Sequence, residues 1–228
     1  MREFLSCDYA FAAATTVASK QTATQRKGRA KDQEVAENAQ EPPVTYRSWR
    51  KPSFRGAEKD GKTVGSAIHA ALQYIRYYAC TDEAAVKGEI TRLVDENYSS
   101  KEQGDLVDCG KIAKFFATDL GHKLRTGEQV LREFKFSILD NGEKYAAGLD
   151  GEQVLLQGVV DCALVEQDGI TVIDFKTDRV TEETADRAAM GYAEQVETYA
   201  DALSRIYGLP IKAKLLYFFQ LDRFWVLQ

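Results

Sequence analysis

The sequence predicts an α/β domain in the order helix, strands, hairpin, helix, strand. Three observations carry this. Two β-rich apolar runs, Gly158–Glu166 and Ile170–Phe175, flank an Asp168-Gly169 pair, a combination that marks a tight hairpin. An amphipathic helical pattern opens at Gly65, and a longer one runs over Thr181–Tyr207. Both faces of the hairpin are apolar, which places it in the middle of a covered sheet.

A chain of 228 residues suits one domain with an arm, and 44% hydrophobic residues suffice for a real core. Residues 1–45, Ala/Thr-rich and then polar up to Pro42-Pro43, read as a weakly ordered arm; 46–228 read as the domain. Residues 1–62 hold 12 Lys/Arg against 8 Asp/Glu, leaving 18 against 27 for the rest. A net charge of −5 does not advertise a nucleic-acid binder, although a basic arm permits phosphate contact. No run approaches the roughly 18 apolar residues of a membrane span, and residues 1–20 lack a leader pattern. Cys7, Cys80, Cys109 and Cys162 show no CxxC pair, so neither a zinc knuckle nor an iron–sulfur cluster is expected. The last three read as small core residues in a reducing cytosol.

In chain order, Gly56–Thr63 matches the phosphate-loop pattern GxxxxGK[ST]. The preceding Arg47–Arg55 is basic and contains proline, where a phosphate-cradling loop needs a buried strand, so the match reads as a decoy. The helix that follows buries Ile68, Ala71, Leu72, Ile75 and Ala79, with His69 beside that stripe. Helices are expected near Glu83–Tyr98 and Asp105–Leu124, with His122 exposed at the end of the second. A strand is expected over Gln129–Leu139, with Val130, Arg132, Phe134, Phe136 and Ile138 on one face and Glu133 on the other. Asn141–Gly151 reads as a turn region. The Thr181–Tyr207 helix ends at Gly208-Leu209-Pro210. Gln195 and Tyr199, four apart, share one of its faces. Strands over Lys212–Gln220 and Phe224–Leu227 close the fold, with a turn at Leu221–Arg223.

The chemistry concentrates in the hairpin. With Asp168 and Gly169 as loop residues, Asp161 faces Lys176 and Ala163 faces Asp174, so Asp161, Asp174 and Lys176 share one side. Charged groups among apolar neighbours are costly without a shared task. Two carboxylates about 6 Å apart repel by roughly 3 kcal/mol at an effective dielectric near 20. A divalent cation removes that repulsion, and oxygen ligands favour Mg²⁺ or Mn²⁺. Lys176 could then orient water or stabilise charge on a phosphate. The plainer alternative is a structural ion pair between Asp161 and Lys176.

GVVD, from Gly158, and VIDFKTDRV, from Val172, resemble the active-site hairpin of the PD-(D/E)XK nucleases in their RecB-like branch, and the C-terminal nuclease domain of AddA-type helicase–nuclease subunits. Lys20–Arg29 and Arg50–Phe54 resemble the lead-in to that domain. The resemblance implies the restriction-endonuclease-like αβββαβ core with inserted helices. It implies a metal centre of His69, Asp161, Asp174 and the Phe175 carbonyl, with Lys176 catalytic. Gly65 opens the Gly-x-x-x-His helix, Glu133 lies close to the metal, and Gln195 and Tyr199 border the site or contact DNA. Ser66, where the family has threonine, and the first 19 residues depart from the pattern.

The function so implied is Mg²⁺-dependent DNA hydrolysis, with Mn²⁺ able to substitute. The chain would be the exonuclease module of a bacterial, cytoplasmic recombination and repair helicase–nuclease, acting with a motor in the same longer protein and a second subunit. The alternatives are a DNA-binding module that does not cut and, less favoured, an ATPase using Gly56–Thr63.

Overall fold

The computed structural model describes residues 17–23, 61–127 and 129–228. Its centre is a six-stranded sheet: β1 (Lys20–Thr22), β2 (Gln129–Asn141), β3 (Gln153–Glu166), β4 (Gly169–Lys176), β5 (Ile211–Phe218) and β6 (Arg223–Leu227). β2 runs antiparallel along one edge of β3. On the other edge, parallel β1 covers Leu155–Gln157 and antiparallel β4 covers Cys162–Glu166, so ladder pairing lapses between them. β5 pairs parallel with β4 and antiparallel with β6. β1 is a difference from expectation: part of the arm is a strand of the central sheet, and Ala23 after it is fully buried.

One face is covered by α1 (Gly61–Tyr74), α2 (Glu83–Asp95), α3 (Lys101–Gly104), α4 (Cys109–Phe116) and α5 (Asp119–Thr126). The other is covered by α6 (Glu182–Tyr207), the crossover between β4 and β5. Hairpin residues divide between the two cores as their alternation requires. Cys162, Leu164, Ile173 and Phe175 pack with the helical insert, and Ala163, Val165, Ile170 and Val172 with α6.

The helix expected over Asp105–Leu124 is two helices. Thr118 caps the second by accepting from the Gly121 N–H at 3.0 Å. A Cβ on Gly121 would fall 2.2 Å from the Phe115 carbonyl oxygen, so α5 folds back on α4 only because that position is bare. Phe115, thereby buried, packs edge-on against Phe175 and Tyr217, with ring centroids 5.2 and 4.8 Å away. His122 is exposed, as expected. α6 ends as its sequence indicates, with Gly208 left-handed at φ 66°.

The hairpin turns one residue earlier than expected. Glu166 pairs with Gly169, leaving Gln167 and Asp168 as the loop and the positive φ (147°) on Gly169. Moving a two-residue loop by one position shifts partners by two, so facing is preserved. The last ladder pair is Cys162 with Ile173, and the same register sets Asp161 opposite Asp174 rather than Lys176.

β2 also departs from expectation. Val130 packs with the helical-insert core, but Phe134, Phe136 and Ile138 pack with the α6 core. On β3 the same change separates Cys162 from Val160. The phase of alternation therefore reverses at Glu133, whose φ is 46° in the middle of a strand. Its position in the register is opposite Asp161. Left-handed backbone at a non-glycine residue costs about 1–3 kcal/mol and gathers at functional sites.

Candidate active site

The split between β3 and β4 builds the site. Beyond Cys162 and Ile173 the strands lose their mutual ladder bonds, and the Asp161 side chain enters the opening. The Phe175 N–H donates to Asp161 Oδ2 at 2.8 Å. Because N–H and C=O of one strand residue point to the same edge, the Phe175 carbonyl also opens toward the split. The Phe175 ring is buried on the other side, against Phe115 and Phe219. Lys176 is tied by its carbonyl, which accepts from the Phe219 N–H at 2.9 Å.

α1 brings His69 to this opening. Its core residues pack on the insert side, yet His69 Nδ1 lies 3.5 Å from Asp161 Oδ1 and 3.7 Å from Glu133 Oε1. A Cβ on Gly65 would sit 2.6 Å from the Thr177 hydroxyl, so a bare position lets the start of α1 press against the end of β4. Arg132 steadies the other end of the helix, donating to the Ile75 carbonyl and stacking over Tyr77.

His69, Glu133 and Asp161 each offer a ligand atom, all within 4.8 Å of one another. Asp174 is 1% exposed and stands apart from that set, with Lys176 Nζ 2.5 Å from its Oδ2. Neither Asp174 oxygen has a partner in hydrogen-bonding geometry. A buried carboxylate whose close partner is a single lysine, opposite a second carboxylate and beside an imidazole, fits a divalent cation that prefers oxygen and tolerates nitrogen. The fit includes Glu133, which the family resemblance implies lies close to the metal.

Burial pushes the Asp174 carboxyl up to about 6, with Lys176 opposing and Asp161 adding to the rise. For His69, burial lowers the pKa, but hydrogen bonds and charge from Asp161 and Glu133 outweigh it and push it up to about 10. Both shifts act in one direction on the metal-free fold. The His69 contribution is full below 6.5 and lost as pH rises through 10; the Asp174 contribution is present below 3.8 and lost through 6. The metal-free melting temperature is therefore expected to fall between pH 6 and 10, with the shift given by saturating Mn²⁺ growing over the same range. Melting curves at stepped pH check this; a metal-free value that climbs instead would contradict it.

From α6, Gln195 Nε2 donates to the Tyr199 hydroxyl at 2.7 Å, both side chains buried. Burial raises the Tyr199 pKa, the Gln195 bond opposes this, and the charges of Asp174, Asp161 and Glu133 raise it further, which puts the tyrosine beside the acidic cluster. Two residues were missed from sequence. The Lys176 ammonium lies over the Tyr192 ring, 4.0 Å from its centroid, and the Tyr192 hydroxyl donates to Asp178 Oδ2 at 2.7 Å. The signal was present: Tyr192, Gln195 and Tyr199 fall at i, i+3 and i+7 on one helix face.

Of the phosphate-loop pattern, Gly56–Asp60 lie outside the described residues, and Gly61–Thr63 open α1. The wild-type protein is expected to show no ATP affinity by calorimetry, and Lys62→Ala to leave DNA cleavage nearly unchanged. Mg²⁺-dependent ATP binding that disappears in the variant would restore the phosphate loop. Cys80 and Cys162 are buried and Cys109 half-buried, all free. No helix among the described residues is long and apolar enough to cross a membrane.

Curated relatives place this geometry in context. The chain is 37% identical over 170 residues to an ATP-dependent helicase/nuclease subunit from Geobacillus thermodenitrificans strain NG80-2, covering 70% of this chain and 14% of that protein. It is 32% identical over 224 residues to the protein of the same name from Bacillus cereus strain Q1, covering 92% and 18%. Against the Clostridium novyi strain NT protein of that name it is 29% identical over 230 residues, covering 98% and 18%. The chain thus spans less than a fifth of the length of the relatives it matches. Among solved structures, that of SSO0001 aligns over 72% of this chain and 74% of its own, with a TM-score of 0.34 and 14% identity. A family model for the PD-(D/E)XK nuclease superfamily matches residues 45–224, and with it every side chain that borders the split: the chain belongs to that superfamily.

Proposed function

We propose that the chain is a metal-dependent deoxyribonuclease module that hydrolyses DNA phosphodiesters with Mg²⁺, Mn²⁺ being able to substitute. The observation that carries the reading is the buried Asp174 carboxylate, held close only by Lys176 and set opposite Asp161 beside the His69–Glu133–Asp161 cluster. His69, Asp161, Asp174 and the Phe175 carbonyl would hold the cation, with Glu133 at its flank. When bound, the ion supplies Lewis acidity toward the scissile phosphate and lowers the pKa of the attacking water. Lys176 orients that water and offsets charge on the phosphate in the transition state. The Phe175 N–H fixes Asp161 through Oδ2, and Oδ1, which faces His69 Nδ1 at 3.5 Å, would ligate. The Gln195–Tyr199 pair closes the site from the α6 side.

Relatives named ATP-dependent helicase/nuclease subunits, all far longer than this chain, support assignment as the nuclease part of such a protein, and the proposal extends this to an exonuclease in cytoplasmic recombination and repair. In that setting a motor in the same longer protein would feed DNA to the site, and a second helicase–nuclease subunit would act with it. The test is cleavage of end-labelled single- and double-stranded DNA with Mg²⁺, Mn²⁺ or chelator, with and without ATP. Cleavage that requires the metal, ignores ATP and releases product from an end is expected. Binding without cleavage in either metal would favour a non-cutting DNA-binding module.

A further inference from the structure

We propose that Tyr192 is a positioning residue for Lys176. Its ring face seats the ammonium, and Asp178 holds the ring in place. This rests on the nuclease reading for its catalytic consequence, but the seat itself is a matter of geometry. A lysine carries its charge on a flexible four-carbon stem, and a water-orienting ammonium must be held to a fraction of an ångström. β4 fixes only the backbone of Lys176. Beyond that, two groups among the described residues define where Nζ sits: Asp174 Oδ2 at 2.5 Å and the Tyr192 ring centroid at 4.0 Å.

These two restraints differ in kind. Asp174 is also a proposed cation ligand, so its hold on Lys176 competes with its hold on the ion. The aromatic face attracts the ammonium without competing for the ion, since a ring quadrupole offers no ligand atom. The ring is itself anchored, because its hydroxyl donates to Asp178 at 2.7 Å. Asp178 lies two residues beyond Lys176, so lysine and anchor sit at the end of one strand, and the hydroxyl bond ties the ring from α6 to them. Tyr192 thus keeps the ammonium at the split whether Asp174 faces it or the ion.

The test compares Tyr192→Leu, Tyr192→Phe and Asp178→Ala with wild type and Lys176→Ala. At saturating DNA and Mn²⁺, Tyr192→Leu is expected to lower kcat by about 10- to 100-fold, with KM for DNA and Mn²⁺ affinity unchanged. Tyr192→Phe keeps the ring face and should retain most of the rate, and Asp178→Ala should fall between. A merely structural tyrosine would instead lower the melting temperature and leave kcat per folded molecule intact. The second readout needs neither DNA nor metal. Ring current should move the Lys176 ε-methylene proton resonances upfield in wild type and Tyr192→Phe and not in Tyr192→Leu, with the assignment made by their loss in Lys176→Ala. Ordinary lysine positions for those resonances in wild type would overturn the proposal. So would a Tyr192→Phe protein as slow as Tyr192→Leu, or a Tyr192→Leu protein as fast as wild type. Wild type that cuts no DNA while showing the ring-current shift overturns the nuclease reading and leaves the lysine's seat supported.

Discussion

Lys176→Ala is expected to lower Mg²⁺-supported DNA cleavage by about 10²- to 10⁴-fold, the range for loss of a positioned proton-transfer group. The loss should fall on kcat, since Lys176 is 12% exposed and faces the buried Asp174. The substitution has a second consequence. It strips Asp174, already raised to about 6 mainly by burial, of its counter-charge, so the carboxyl rises further. The metal-free variant should therefore be less stable than wild type at pH 8 and nearly equal to it at pH 5. Rates must be referred to the folded fraction, measured by circular dichroism in the assay buffer. A folded Lys176→Ala protein cutting at the wild-type rate would remove the lysine from the mechanism. Asp174→Ala should abolish cleavage as fully, through loss of the cation.

The other large effect concerns His69. With His69 as the ligand that the family resemblance implies and its imidazole unperturbed, metal binding would weaken as pH falls through about 6.5. In the fold, His69 is paired with Asp161 and Glu133, and the protonated form persists to about pH 10 in the metal-free protein. Each cation must then displace about one proton across the neutral range, because only neutral imidazole ligates. Mn²⁺ affinity is expected to rise about tenfold per pH unit between pH 7 and 9, with proton release visible in calorimetry run in two buffers. His69→Ala should flatten that slope and weaken Mn²⁺ more than Mg²⁺, since nitrogen ligation favours the softer ion. Unchanged Mn²⁺ affinity with an unchanged pH slope would take His69 out of the site and leave a carboxylate centre.

Much of this was legible along the chain because it depends on local repeats. A period of two in Gly158–Phe175, a helical period in Gly65–Ile75 and Thr181–Tyr207, and the glycines at the hairpin turn (Gly169) and after the last helix (Gly208) are consequences of backbone geometry. They set the order of elements, the covered hairpin, and the shared side of Asp161, Asp174 and Lys176. The hairpin could even be misregistered by one loop position without harm, since a two-residue shift in partners keeps each side chain on its face.

What lay beyond local pattern depended on contacts between distant segments. The helix expected through Ala117 and Thr118 breaks because bare Gly121 lets α5 cross the Phe115 carbonyl, a closeness no helical periodicity encodes. The reversal of alternation at Glu133 arises where two long strands bend together, and it brings that glutamate toward His69 and Asp161. The ionisation of His69 and Asp174 follows from burial and neighbours gathered from four elements, α1, β2, β3 and β4. Residue types, spacing and the family resemblance were thus enough to name the candidate site residues that the fold gathers at the split. Their charge states, and the aromatic seat that Tyr192 gives Lys176, exist only where the sheet splits and α6 packs across the opening.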